Sequence, residues 1–149
     1  MCHFKCKSFS ELTTDELYEI IALRQEVFVV EQDCPYLDAD GKDQQAWHLT
    51  GFDKDEKLIV YARIAPKGVF YENYVSISRI VSSPSVRGKG MGKKLIIESL
   101  VTIEKLFSNQ EIKISAQCYL TRFYNSFGFE TIGEEYLEDN IPHIAMIRN

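Results

Sequence analysis

The sequence predicts an α/β fold of the α+β kind, a mixed, mostly antiparallel sheet with helices on both faces. Three observations predict it. Apolar residues alternate with period two in some segments and recur at helical spacing in others, in the order β-α-β-β-β-α-β-α-β-β. The helices interrupt what is otherwise a run of strands joined by short turns. With 149 residues, 45% of them hydrophobic and 12% aromatic, the chain has the size and apolar content of one packed domain. No repeat, low-complexity tract or linker divides it, so residues 1–149 are read as a single domain.

Phe4 to Phe9 reads as a short edge strand, with Phe4 and Cys6 on one side. Thr13 and Glu16 form a capping-box pair. Leu17, Ile20, Ile21, Val27 and Phe28 follow at helical spacing, which predicts a helix from about Thr14 to about Val30. Asp33 to Gln45 is polar, contains Pro35 and Gly41, and reads as a loop with room for one short helix. Ala46–Phe52 and Leu58–Ala65 are strands joined by the charged turn Asp53-Lys54-Asp55-Glu56-Lys57, and Tyr74–Ser82 is a third. A longer helix starts near Gly90, with Leu95, Leu100, Ile103 and Leu106 as its buried stripe. A strand at Glu111–Gln117, a short helix at Leu120–Phe127 stopped by Gly128, and a hairpin of Phe129–Tyr136 with Pro142–Ile147 complete the chain.

Composition narrows function. Seventeen Lys and Arg against 22 Asp and Glu leave a formal charge of -5, which argues against a general nucleic-acid binder. No apolar run has the length to span a bilayer, and Met1 to Cys6 is not a signal peptide. Four cysteines are too few for a disulfide scaffold, so a cytoplasmic location is expected.

The chemistry-bearing stretch runs from Ile80 to Lys94. A strand enters a glycine-rich turn that opens an amphipathic helix, whose unpaired N–H groups and dipole suit an anion. Arg87, Lys89, Lys93 and Lys94 concentrate positive charge there on an acidic chain, as a polyphosphate ligand would favour. A P-loop would need Ser or Thr at position 94, which is Lys94. The glycines at 88, 90 and 92 also miss the G-x-G-x-x-G spacing of dinucleotide folds. A turn that merely ends a strand, with solvated lysines, is the bland alternative.

Arg87-x-x-Gly90-x-Gly92 resembles the acyl-CoA-binding [RQ]-x-x-G-x-[GA] loop of the GNAT superfamily of N-acetyltransferases. Downstream, Phe123-Tyr124-Asn125-Ser126-Phe127-Gly128-Phe129 is similar to that superfamily's [LF]-Y-x-x-x-G-F signature. Arg24 to Gln32, Cys34-Pro35-Tyr36, Asp38, Asp40-Gly41, Tyr61-Ala62-Arg63-Ile64 and Ile141-Pro142-His143 resemble the ElaA-type branch. The likeness extends from about Leu17 to Met146.

The resemblance implies a GNAT-like sheet whose two central parallel strands splay apart around pantetheine. It implies acetyl-CoA as co-substrate and no metal. Ile80, Val81 and Ser82 would face the pantetheine arm. Arg87, Gly88, Lys89, Gly90, Met91, Gly92 and Lys93 would hold the diphosphate. Gln117 stands where family members often carry Asn, seven residues before the tyrosine. Tyr124 matches the general acid that protonates the departing thiolate, a role a phenol of pKa about 10 can fill; otherwise it packs beside Phe123 and Phe127. The expected reaction is direct transfer of acetyl to a primary amine in a ternary complex. The alternative is a non-catalytic acyl-CoA-binding or sensing module. Partners would be a small-molecule or peptide amine, with no nucleic acid or membrane; a homodimer is a further expectation.

The amine must lose a proton before it attacks. His143, at the start of the last strand, reads equally as its acceptor or as a rim residue after Pro142. His48 reads as a hydrogen-bonded core histidine. Glu31, ending the first helix, is either a binder and proton relay for the amine or a solvated carboxylate. Arg63 and Arg79 lie among apolar strand residues, as partners of carboxylates or as receptors for a substrate carboxylate. Asp38-x-Asp40-Gly41 lacks an EF-hand's glycine and glutamate positions and reads as an acidic turn on the acceptor rim. Cys2-His3-Cys6 has no second cluster to complete a metal site. Cys118 has no visible base partner. Glu134, Glu135, Glu138 and Asp139 would attract a cationic amine.

Overall fold

The computed structural model describes residues 2–149. Its elements are β1 (His3–Ser8), α1 (Thr14–Arg24), β2 (Trp47–Phe52), β3 (Leu58–Ala65), β4 (Val75–Ser82), α2 (Met91–Phe107), β5 (Ile112–Gln117), α3 (Thr121–Asn125), β6 (Glu130–Glu138) and β7 (Ile141–Arg148). They form a seven-stranded sheet in the order β1-β2-β3-β4-β5-β7-β6, antiparallel except where β4 and β5 run side by side.

Every residue of β3 is buried, because both faces of the sheet are covered where it lies between β2 and β4. One face carries Leu49, Val60, Ile64, Ile77 and Ile114 under Leu95, Ile96 and Ile103 of α2. The other carries Phe52, Leu58, Tyr61 and Val81 under Ile20 and Leu23 of α1. Each such side chain contributes roughly 1.5–3 kcal/mol of burial, so both layers are needed to fix the sheet. The stripe of α2 is Met91, Leu95, Ile96, Ser99, Thr102 and Ile103, while Leu100 and Leu106 are only half-buried. Ser99 is tolerated inside because its hydroxyl donates to Leu95 O at 2.7 Å.

The local signals act as their chemistry requires. Thr13 Oγ1 accepts from the Glu16 amide at 3.1 Å, and Glu16 returns the bond to the Thr13 amide at 2.9 Å, which starts α1. Asp53 Oδ1 gathers the amides of Asp55 and Lys57 at 2.9 Å each and shapes the β2–β3 turn. The helix expected to run to Val30 changes character after Arg24. Gln25–Glu31 winds as a wider π-turn, in which the amide of Gln32 reaches Val27 O at 3.1 Å. β1 begins and ends one residue earlier than expected, because Phe9 turns into a short 3-10 segment. The expected Leu120–Phe127 helix is helical as α3 only over Thr121–Asn125, after a 3-10 turn at Cys118–Leu120. The final hairpin is tighter than expected: Asp139 and Asn140, with φ of 50° and 64°, form a two-residue turn between Glu138 and Ile141.

Two irregularities shape the middle of the sheet. β4 and β5 pair only at Val75 with Ile112 and Ser76 with Lys113, then part. β4 carries an extra residue between Ser78 and Val81 against β3, and Arg79 within that bulge has φ of 53°.

Candidate active site

The parting strands open a cleft of about 1020 Å³ that reaches from Arg87 and Gly92 at one end to His143 at the other. Ile80, Val81 and Ser82 line one wall, and Gln117 and Tyr124 lie in the same cleft. The divergence leaves the facing strand edges without ladder partners beyond Ser76 and Lys113. Such edges accept an extended chain as a substitute strand.

At the cradle, Pro84–Val86 makes a 3-10 turn with Ser83 Oγ accepting from the Ser85 amide at 3.3 Å. Gly88 and Gly90 have φ of 77° and 73°, a conformation that carries the chain into α2 and favours glycine. The first α2 amide to reach back is that of Lys94, to Gly90 O at 3.2 Å. The amides of Met91, Gly92 and Lys93 therefore head the helix without intrahelical acceptors. A Cβ on Gly92 would stand 3.9 Å from Phe123 and 4.0 Å from Ser82 Oγ, at the cleft wall itself. This is space that a side chain would fill, beside open amides and cations, and it fits a diphosphate. Met91 has only its backbone to offer there, since its side chain is buried in the core. Gly88, Lys89, Gly90 and Lys93 are exposed beside the cleft-lining Arg87 and Gly92.

Arg87 and Glu31 are joined through both prongs, each N–O distance 2.5 Å. The Arg87 guanidinium holds the Glu31 carboxyl below its ordinary range. Tyr124 is 6% exposed, and its ring meets Phe123 and Phe129 edge-on at 5.2 and 6.0 Å; Phe127 instead packs on Phe123. Burial, then the neighbouring Tyr119, pushes its phenol well above the ordinary value.

Above β4, the loop after α1 is held by alternating charges. Arg24 bonds Asp38 and Asp43 at 2.8 Å each. Arg63 bonds Asp43 and Asp40 at 2.8 Å each. Arg79 closes the ring to Asp38 at 2.8 Å and Asp40 at 3.3 Å. Arg63 and Arg79 are thus partners of carboxylates, one of their two expected roles. Asp38 is buried and its charge is consumed by arginines from α1 and β4, while Asp40 of the same acidic turn lines the cleft. The ring also fixes the strained backbone of Arg79, and so the bulge.

His48 lies outside the cleft. It is buried, its Nε2 donates to Asp43 O at 2.9 Å, and its Nδ1 accepts from Tyr61 OH at 2.6 Å. Burial lowers its pKa. Cys118 is not among the cleft residues, and its thiol is raised by burial and by Glu135, which leaves little nucleophilic thiolate. Among the described residues no cluster of His, Cys, Asp and Glu is arranged to hold a metal.

His143 is brought to the far end of the cleft, opposite Gln117 on β5 and Tyr136 on β6. Its Nδ1 lies 2.7 Å from Ile141 O. Glu138 and Asp139 reach the same cleft, whereas Glu134 and Glu135 do not line it. Aromatic walls at Phe70 and Tyr71 were not expected from sequence, because they come from a segment with no motif, and Phe28, expected only as an apolar position of the first helix, joins them.

The acetyltransferase (GNAT) domain model matches residues 11–149. The chain belongs to the GNAT acetyltransferase family. Within it, the chain is 42% identical to protein ElaA of Escherichia coli over 141 residues, 93% of this chain and 91% of ElaA. It is equally identical to a UPF0039 protein of Synechocystis over 139 residues, 93% of this chain and 90% of that protein. An acyl-CoA N-acyltransferase from Pseudomonas aeruginosa superposes with a TM-score of 0.95 at 41% identity, over 100% of both chains. The crystal structure of Escherichia coli ElaA superposes at 0.92 and 38%, also over 100% of both. The mixed sheet with its parted parallel strands is the GNAT fold.

Proposed function

We propose that this GNAT domain transfers the acetyl group of acetyl-CoA to a primary amine by direct attack in a ternary complex. The observation that carries the reading is the single cleft between β4 and β5, with open amides at one end and Tyr124 and His143 lining it. Acetyl-CoA supplies an activated acyl carbon and a thiolate leaving group. The amides from Gly88 to Lys93, with Arg87, hold its diphosphate, and Ile80 to Ser82 offer strand-like hydrogen bonds to the pantetheine arm. Gln117 keeps the amide chemistry of the family's Asn with one more methylene.

The proton account closes on this chain's residues. An ammonium arriving in the cleft gives one proton to His143, which frees the nitrogen lone pair to form the C–N bond. As the C–S bond breaks, sulfur keeps the electron pair and takes the Tyr124 proton. The second proton lost by nitrogen restores Tyr124, and His143 passes the first to solvent. Burial of Tyr124 suits this role, because the phenol stays protonated until a strong base appears beside it. Glu31, paired with Arg87, is proposed as a counter-ion at the cradle with any contact to the amine following its release. Glu138 and Asp139 favour a cationic acceptor, on a small molecule or a peptide.

A broad amine screen read by free thiol tests the proposal. CoA appearing in step with an acetylated amine is the expected result. Tight acetyl-CoA binding without thiol release for any amine would make the domain a binding module instead.

A further inference from the structure

We infer that Glu138 is the positioning residue for a His143 base, and that Ser115 and Tyr136 hold Glu138 in place; this rests on the acetyl-transfer reading above. The register of the last hairpin is the first support. β6 and β7 pair Ile132 with Ala145 and then Tyr136 with His143, so β6 spends extra residues at Gly133, where φ is 71°. In a regular ladder Glu134 would stand opposite His143. The bulge sets Tyr136 there instead, its ring stacked on the imidazole at 6.2 Å and 26°. Glu138 then reaches the imidazole from the end of the strand.

The hydrogen bonds form a directed chain. Ile141 O can only accept, so Nδ1 of His143 carries the proton and donates at 2.7 Å. Nε2 is left with its lone pair, 3.5 Å from Glu138 Oε2. The other carboxylate oxygen, Oε1, accepts from Ser115 Oγ at 3.2 Å, and Ser115 Oγ shares a short hydrogen bond with Tyr136 OH. Oε1 of the half-exposed glutamate is thereby held by a hydrogen bond, and Oε2 is left facing the ring nitrogen that takes the proton, on a strand whose residues are all solvent-exposed. His143 itself is 6% exposed, so the carboxylate is its nearest counter-charge when Nε2 takes a proton. The other groups facing this corner are Gln117 on β5, Tyr71 before β4, and Asp139 with Cys34, whose thiol donates to Asp139 O. The Tyr71 phenol is raised by burial and then by Tyr136 and Glu138, so it adds no charge near neutrality.

The chemistry assigned is limited to one proton. Nε2 accepts it from the acceptor ammonium, Glu138 stabilises the imidazolium, and release to water restores the neutral ring. No bond to Glu138, Ser115 or Tyr136 is made or broken.

The test uses the full chain, with the ring nitrogens of His143 assigned by ¹⁵N NMR against His143→Gln. The wild-type ring is expected in the Nδ1–H form at alkaline pH. In Glu138→Gln, kcat measured with any amine that turns over is expected to fall roughly tenfold while the KM for the amine changes little, because the imidazolium formed on proton transfer loses the carboxylate beside it. Acetyl-CoA affinity should stay unchanged. Ser115→Ala should lower kcat in the same way by less. A ring protonated at Nε2, or a kcat equal to wild type in Glu138→Gln, overturns the inference alone. Acetyl-CoA binding without thiol release for any amine takes down the transferase reading and this inference together.

Discussion

Arg87, the first residue of the cradle motif, is clasped by Glu31 across 56 positions of sequence, prong to prong at 2.5 Å. A diphosphate must compete with that carboxylate. The pair is close to half-exposed on both sides, so the competition is mild. Glu31→Gln should therefore bind CoA roughly two- to fivefold more tightly by calorimetry. Acetyl-pantetheine, which has no diphosphate, should bind both proteins alike; equal tightening for both ligands would refute the competition.

Gly90 and Gly92 should fail differently. Gly90 sits at φ of 73° with nothing within 4 Å of a built Cβ, so Gly90→Ala strains the backbone without a clash. It should cost about 1–2 kcal/mol of stability, seen as a lower Tm. Gly92→Ala has room in the empty protein and should leave Tm unchanged. Its methyl group would intrude on the diphosphate and weaken CoA binding about tenfold, through lost charge-assisted hydrogen bonds.

Tyr124→Phe should lower kcat by roughly 10²-fold while the acetyl-CoA Kd changes little. The raised phenol also carries a sign. Because burial lifts it above its ordinary value, its ionisation should put no basic limb on the kcat profile below about pH 10. A kcat equal to wild type in the Phe variant would remove the acid role.

The ring of arginines and aspartates predicts a buried-charge penalty and an acid limit. Asp43→Ala leaves Arg24, fully buried, with one partner fewer and should cost about 3–5 kcal/mol, lowering Tm by roughly 10 °C. Burial raises the Asp40 carboxyl, but Arg63, then the Lys42 amide and Arg79, outweigh it and bring it to about 2. A depressed folded-state pKa stabilises above the unfolded value near 3.9. The contribution of Asp40 should be complete above about pH 4 and vanish as pH falls towards about 2, as urea melts across that range would register.

What sequence reveals here is what is local. The bounds of β3, the capping box at Thr13, the strand-to-glycine-to-helix passage and the tyrosine before Gly128 are each written within a few residues. The ring is not, since Arg24, Arg63 and Arg79 meet aspartates 14 to 41 positions away. Arg63 and Arg79 advertise themselves as cations among apolar neighbours, whereas Arg24 and Asp43 give no sign of being buried. Ser115 and Tyr136 are ordinary strand residues until the Gly133 bulge sets the register. Asp139-Asn140 did carry a readable signal, two residues that tolerate positive φ, and it would have tightened the expected hairpin.

The widened turn at Gln25–Glu31 has a consequence for how this wall tolerates change. A π-turn holds one residue more than an ordinary helical turn. Deleting a single position within it would let the backbone relax to tighter winding and swing the downstream side chains by roughly 100° about the axis. Phe28 and Glu31 would lose their places on the cleft together, although no contact of theirs had been mutated. Length, as much as residue identity, is therefore under constraint between Arg24 and Gln32.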